Sequence, residues 1–245
     1  MIKRTGFVVS VQEYRESDGL VQLYSEHGLE TFVLRGLYKA TSKQTGIAQL
    51  YTQVEYLFEE RPSQIQTVRS GRLVESFREY RQDIHWISYL SIASEILLRV
   101  NRESPVNLSF DAFSMLFSLQ NPIKYLLYFM ADILINLGLG ANVDECVSCG
   151  SPQVSAFSIS QGGLVCSRCL KLYHPKIETS SLDVLKQLRY LFKANLAQFT
   201  SILDFFTEVN TVFEIVVDYF EFHSGIHLKS WDFYRKVYYN SGIGG

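Results

Sequence analysis

An excess of charge of one sign is missing: 23 basic and 25 acidic residues leave the 245-residue chain at a formal net charge of −2. That balance excludes a uniformly basic nucleic-acid binder, so any such role must rest on local patches. Long apolar runs are missing too. The most apolar stretch, Tyr125 to Ala141, is interrupted by Asp132 and Asn136 and falls short of a membrane span. At the start, Lys3 and Arg4 precede only Gly6 to Val11, too short for an export signal and without a small-residue cleavage site. The sequence holds no G-x-x-x-x-G-K-[ST] phosphate loop, no G-x-G-x-x-G and no G-x-S-x-G. Its carboxylates do not cluster as in a two-metal nuclease, and it has no repeats or low-complexity segments. These absences predict a cytoplasmic protein without a membrane role that is not an enzyme.

What is present is a chain rich enough to fold. At 47% apolar and 14% aromatic it can bury a large core, and its length suits two or three modules. A chain of this size hides roughly 70–75% of its unfolded surface.

Cysteine is scarce but patterned. All four lie in two C-x-x-C pairs, Cys146-Val-Ser-Cys149 and Cys166-Ser-Arg-Cys169, with sixteen residues between them. Gly150 follows the first pair and Gly162-Gly163 precedes the second. Two knuckles joined by a short hairpin can set four thiolates tetrahedrally around one Zn²⁺. Two disulfides or four unrelated buried thiols leave the pairing unexplained, and a reducing compartment favours the metal. Four sulfur ligands leave no open position for water, so the expected zinc is structural.

Taken in order, the first eighty residues read as short strands. Phe7, Val9 and Val11 alternate with Val8, Ser10 and Gln12. Strand-like stretches follow at 20–25, 29–37, 50–59 and 65–74, with Val54, Tyr56 and Phe58 on one face. The turns fall at 16–19, at His27-Gly28 and at Arg61-Pro62-Ser63. Five strands at this spacing predict a small closed barrel, of either the oligonucleotide-binding (OB) or the SH3-like type. Between Glu30 and Glu55 no residue is acidic, while Arg35, Lys39 and Lys43 recur at four-residue spacing beside Tyr38. Cations for phosphates and a π-face for bases are what a single strand of nucleic acid requires. An ordinary solvated loop has the same composition, and residues 1–80 hold ten basic and ten acidic side chains in all.

Beyond Asp83 the period becomes helical. Ile84, Ile87, Leu90, Ala93 and Leu97 mark a first amphipathic helix to about Val100. Ser104-Pro105 breaks it, and a second helix is expected over 108–119. Asn121-Pro122 caps a third, strongly apolar helix that ends near Gly138 and Gly140 and belongs in a core. After the cysteines, Thr179-Ser180-Ser181 offers caps for a helix from Leu182, and another is expected from about Glu208 to His223. The final stretch reads as a basic, tyrosine-rich end around Arg235 and Lys236. From Cys146 to Ile177 there is no acidic residue, but four thiolates with Zn²⁺ carry about −2 and offset most of Arg168, Lys171 and Lys176. His223 and His227 have a metal-ligand spacing, although Gly225 between them argues that the helix ends there.

Together these features resemble the RecO family of bacterial recombination mediators, over nearly the whole chain. The likeness rests on Gly6-Phe7-Val8-Val9, on Tyr14 to Ser25, on His27-Gly28-Leu29-Glu30 and Arg35-Gly36-Leu37, on the four cysteines and on Lys229-Ser230. It implies an α+β protein: an N-terminal five-stranded OB-fold barrel (1–80), then an α-helical bundle (81–245) with an inserted zinc-ribbon-like hairpin at about 144–175. It implies binding of single- and double-stranded DNA, annealing of complementary strands, and a place at the bacterial nucleoid. It also implies work with RecR to load RecA on DNA coated by single-stranded-DNA-binding protein, and contact with the C-terminal tail of that coating protein. The phosphate contacts are expected from Arg35, Lys39 and Lys43, with Arg69 and Arg72 on the last strand. The alternative is a zinc-ribbon adaptor that acts through protein contacts alone; a nuclease or other DNA enzyme is a third reading.

Overall fold

The computed structural model describes residues 1–60, 65–78, 80–103, 109–118, 120–173, 177–178 and 181–240. The chain forms two compact units, Met1–Leu90 and Ser91–Gly245.

The first unit is built on five strands: β1 (Ile2–Tyr14), β2 (Asp18–Ser25), β3 (Gly28–Leu34), β4 (Gln53–Phe58) and β5 (Gln66–Glu75). They close into a barrel in the order β1-β2-β3-β5-β4. The β3–β5 pair is parallel and short, Phe32 opposite Gln66 and Val33 opposite Thr67, while every other pair is antiparallel. This is the OB-type solution, and it removes the SH3-like alternative. The barrel interior is filled by Val8, Val21, Leu23, Phe32, Leu34, Val54, Tyr56, Phe58 and Val68. Phe32 stands edge-on to Tyr56 and Phe58, at 5.4 and 5.1 Å between ring centres. Each such side chain contributes about 1.5–3 kcal/mol by leaving water. The buried Tyr56 hydroxyl donates to the Ile47 carbonyl at 2.5 Å, so the polar end of the ring is satisfied.

The expected alternation holds in β4 and fails in β1. A bulge between Val8 and Ser10 shifts the register against β2. Val8 and Val11 therefore pack on the barrel core, and Phe7 instead meets Phe77, 6.2 Å away. A bulge inserts one residue and exchanges the two faces of a strand, which a strict period of two cannot express. The turn expected at Arg61-Pro62-Ser63 lies outside the described residues.

The helices are α1 (Ile84–Glu103), α2 (Phe110–Ser114), α3 (Pro122–Asn136), α4 (Ser167–Tyr173), α5 (Leu182–Lys193), α6 (Leu196–Ser201), α7 (Val209–Ser224) and α8 (Lys229–Asn240); between α3 and α4 lies a hairpin of β6 (Ala156–Ser158) and β7 (Gly163–Val165). In α1, Leu90, Ala93 and Leu97 are buried as expected, but so are Ile92, Ile96 and Val100, while Ile84 is exposed. The helix is thus covered over more than one stripe. The break at Ser104-Pro105 and the caps Thr179 and Ser180 fall outside the described residues. The second helix is shorter than 108–119: Ser109 caps α2 through Ala112 N–H, and Met115–Phe117 tightens to a 3₁₀ turn. Asn121 precedes α3 in the left-handed region (φ 57°) and caps with its backbone carbonyl rather than its side chain. Nine residues of α3 are buried, and burial pushes the Asp132 carboxyl up.

Three helices go beyond the sequence reading: α4, which opens directly after Cys166, α6 and α8. α6 opens with a capping box, in which Asn195 accepts from Gln198 N–H and the Gln198 side chain accepts from Asn195 N–H. The basic, tyrosine-rich end is α8, and it is gripped from α1. Both Glu95 carboxylate oxygens accept from its first turn: Lys229 N–H at 3.2 Å, Ser230 N–H at 2.8 Å and Ser230 Oγ at 2.6 Å. Among the described residues no helix is long and apolar enough to cross a membrane.

Candidate metal centre and nucleic-acid interface

The four cysteines converge. Cys146 and Cys149 occupy a turn closed by Cys149 N–H and Gly150 N–H on the Cys146 carbonyl, and Gly150 takes the left-handed φ of 70°. Cys166 follows β7 directly, and Cys169 sits in the first turn of α4. The turns are fixed by the hairpin: Val147 N–H donates to Leu164, and Ser155 N–H to Val165. Gly163 is required where it stands, since a Cβ there would lie 2.1 Å from the Asn142 carbonyl oxygen.

All four sulfurs lie within 4.8 Å of one another, and none is in a disulfide. Cys149 and Cys166 are 3.7 Å apart between sulfurs, far beyond a disulfide bond. A tetrahedron with metal–sulfur bonds of about 2.3 Å has edges of about 3.8 Å. Cys146, Cys166 and Cys169 are buried, and Cys149 is exposed. Burial pushes the Cys146 thiol up, but the amides of Cys166, Ser148 and Cys149 outweigh it and bring it down to about 6. The Cys169 amide draws Cys166 down, whereas contact with Cys149, together with burial, pushes Cys169 up to about 12. The protein amides thus favour charge on two sulfurs and crowding disfavours it on a third. A divalent cation in their midst removes that conflict, because it stabilises all four as thiolates. The donor set fits a closed tetrahedral metal site.

The loop after β3 has the opposite character. Leu37 is buried and anchors it, Gly36 N–H donates to Asp18 Oδ1 at 2.8 Å, and Tyr38 N–H donates to the Ser17 carbonyl. Tyr38 is 47% exposed, and Arg35, Lys39 and Lys43 all face solvent. Among the described residues no carboxylate pairs with any of these three cations. The last-strand arginines differ. Arg72 is held by Glu55 through two contacts, at 2.9 and 3.2 Å, and Arg69 by Glu59 at 3.1 Å. The hydrogen bond from Arg72 holds the Glu55 carboxyl below its usual range. Sequence reasoning missed these partners, although the β4–β5 register that sets Glu55 opposite Arg72 would have named one of them.

The histidine pair does not assemble. Gly225 ends α7 in the left-handed region at φ 70°, between the two residues. His223 turns its Nε2 to the Ile159 carbonyl at 2.8 Å, while His227 lies between Glu221 and Asp232, at 3.0 and 2.9 Å.

Comparison with known proteins matches two family models in tandem. Residues 1–77 match the recombination protein O N-terminal model, and residues 81–232 match the recombination protein O C-terminal model. The chain belongs to the RecO family. Similar RecO proteins span nearly its full length. A DNA repair protein RecO of Halalkalibacterium halodurans is 27% identical over 242 residues, covering 96% of this chain and 94% of that protein. One of Listeria monocytogenes is 29% identical over 245 residues, covering 97% and 95% respectively. One of Bacillus pumilus is 25% identical over 253 aligned positions, covering 97% and 94%.

Proposed function

We propose that this RecO-family chain is a DNA repair and recombination mediator that works by holding strands rather than by bond chemistry. The observation that carries the reading is the loop on the closed barrel: Arg35, Lys39 and Lys43 exposed and unpaired among the described residues, with an exposed Tyr38 in the same loop. Cations that grip the backbone leave base edges free to pair with a second strand, which is the whole chemical requirement of annealing. Single- and double-stranded DNA share the phosphates that this loop would contact. Arg69 and Arg72 contribute less, because each already has a carboxylate partner.

In this reading residues 1–80 carry the DNA contacts, and residues 81–245 carry the scaffold and the protein contacts. Cys146, Cys149, Cys166 and Cys169 hold one structural Zn²⁺, which ties two turns of the chain together and performs no step. Family membership supports action with RecR, loading of RecA on DNA coated by single-stranded-DNA-binding protein, contact with the tail of that protein, and a cytoplasmic site at the nucleoid.

A salt titration of single-strand binding tests the proposal. Three phosphate contacts give a slope of about −2 for log affinity against log salt, or about a twentyfold loss for a fourfold rise in salt. A slope near zero, with no acceleration of strand annealing, would instead favour an adaptor that acts through protein contacts alone.

A further inference from the structure

We propose that the cleft between the end of β3, the loop after it and β5 is a seat for one backbone phosphate, and that Glu59 limits its grip. The inference rests on the DNA-binding reading above and adds to it a residue of the opposite sign. The cleft has a volume of 380 Å³ and is lined by Arg35, Gln44, Glu59, Thr67, Val68 and Arg69. Its formal charges are two positive and one negative. The remainder, +1, is the charge that a single phosphodiester cancels.

Glu59 and that phosphodiester compete for the same group. Glu59 Oε2 accepts from Arg69 Nη2 at 3.1 Å, and the two side chains are 51% and 54% exposed. A carboxylate and a phosphodiester each present two anionic oxygens to a guanidinium, so one can take the place of the other. An exposed single-contact pair is weak and yields readily. Arg72 is different, since Glu55 grips it through two contacts and is itself 19% exposed. The geometry therefore selects Arg69, and not Arg72, as the strand cation that DNA can recruit. The Thr67 hydroxyl and the Gln44 amide are neutral groups in the same cleft. A protein that anneals strands must also let the product go, and a resident carboxylate returning to Arg69 promotes that release.

The test uses the full chain and a labelled single-stranded oligonucleotide, titrated at a series of salt concentrations. Glu59→Gln is expected to bind roughly threefold tighter at moderate salt. Its slope of log affinity against log salt should steepen by about 0.7, the share of one further neutralised phosphate. Arg69→Gln is expected to weaken binding by a similar factor. The double variant Glu59→Gln/Arg69→Gln, whose cleft charge equals that of the parent, should return close to it. Glu26→Gln, an exposed carboxylate on the turn between β2 and β3, serves as the control for net charge and should change neither quantity. A Glu59→Gln protein that binds like the parent overturns the seat, and so does an equal gain from Glu26→Gln. If the unaltered chain itself shows no salt-dependent binding, the DNA reading fails and takes the seat with it.

Discussion

The hairpin of the four cysteines and the loop after β3 look alike on paper and behave as opposites in the fold. Both are stretches without a single acidic residue, each with cations spaced through it. In the hairpin, Arg168 and Lys171 are exposed beside a cluster of sulfurs whose charge, once a metal draws off the protons, offsets them. In the loop nothing offsets Arg35, Lys39 and Lys43 among the described residues. A run of positive residues therefore carries no functional meaning until its counter-charge has been located. That counter-charge can be a thiolate in the same turn, a glutamate on the next strand, or a ligand from outside.

The sharpest break of this comparison comes from Cys146→Ser. Structural zinc contributes on the order of 10 kcal/mol in small metal-dependent modules. The variant should lose its metal, measured by mass spectrometry under native conditions, and unfold at a much lower temperature; a stable metal-free variant would remove the scaffold role. Next in size is the loop. Replacing Arg35, Lys39 and Lys43 together by alanine should flatten the salt slope from about −2 towards zero while leaving the thermal midpoint nearly unchanged.

Glu95→Gln should do the reverse, costing about 1.5–3 kcal/mol of stability with no effect on the salt slope. Burial pushes the Glu95 carboxyl up, but the Ser230 and Lys229 donors and Arg99 outweigh it and leave it below its ordinary value of 4.5. A depressed carboxyl stabilises the fold at pH above that ordinary value, and the contribution is lost as pH falls through the folded-state value. Parent and variant should thus converge in acid, as followed by denaturant midpoints across the acid range. A smaller effect is expected from Tyr38→Ala. Loss of one stacked base should weaken single-strand binding by about 1 kcal/mol, roughly fivefold, with the slope retained.

Much of this was legible in the residues, for identifiable reasons. The clustering of the four cysteines was, because C-x-x-C fixes the spacing within one turn and needs no knowledge of the rest of the chain. The five strands were, because Val54, Tyr56 and Phe58 alternate cleanly. The faces of β1 were not, since a bulge is decided by pairing with β2 and leaves no mark in the period. Helix α8 was not, because its support comes from a glutamate 135 positions away. The same blindness applies to Arg69 and Arg72: strand register sets Glu55 opposite Arg72, and Glu59, just beyond the end of β4, reaches Arg69 with its side chain. Local spacing reveals groups that cooperate along the chain, and it conceals those that cancel across it.

The grip of Glu95 on α8 has a consequence for the order of events during synthesis. While a ribosome is still adding residues, α1 has emerged with Arg99 as a partner for the Glu95 carboxylate, but the donors of α8 are not yet made. About 135 further residues must follow before Lys229 and Ser230 arrive to occupy it. Contacts over such separations form late, because the intervening loop must be closed first. The helical unit is therefore expected to remain soft and open to proteases until α8 docks, and a nascent chain halted before Lys229 should be digested far faster than one released just beyond it.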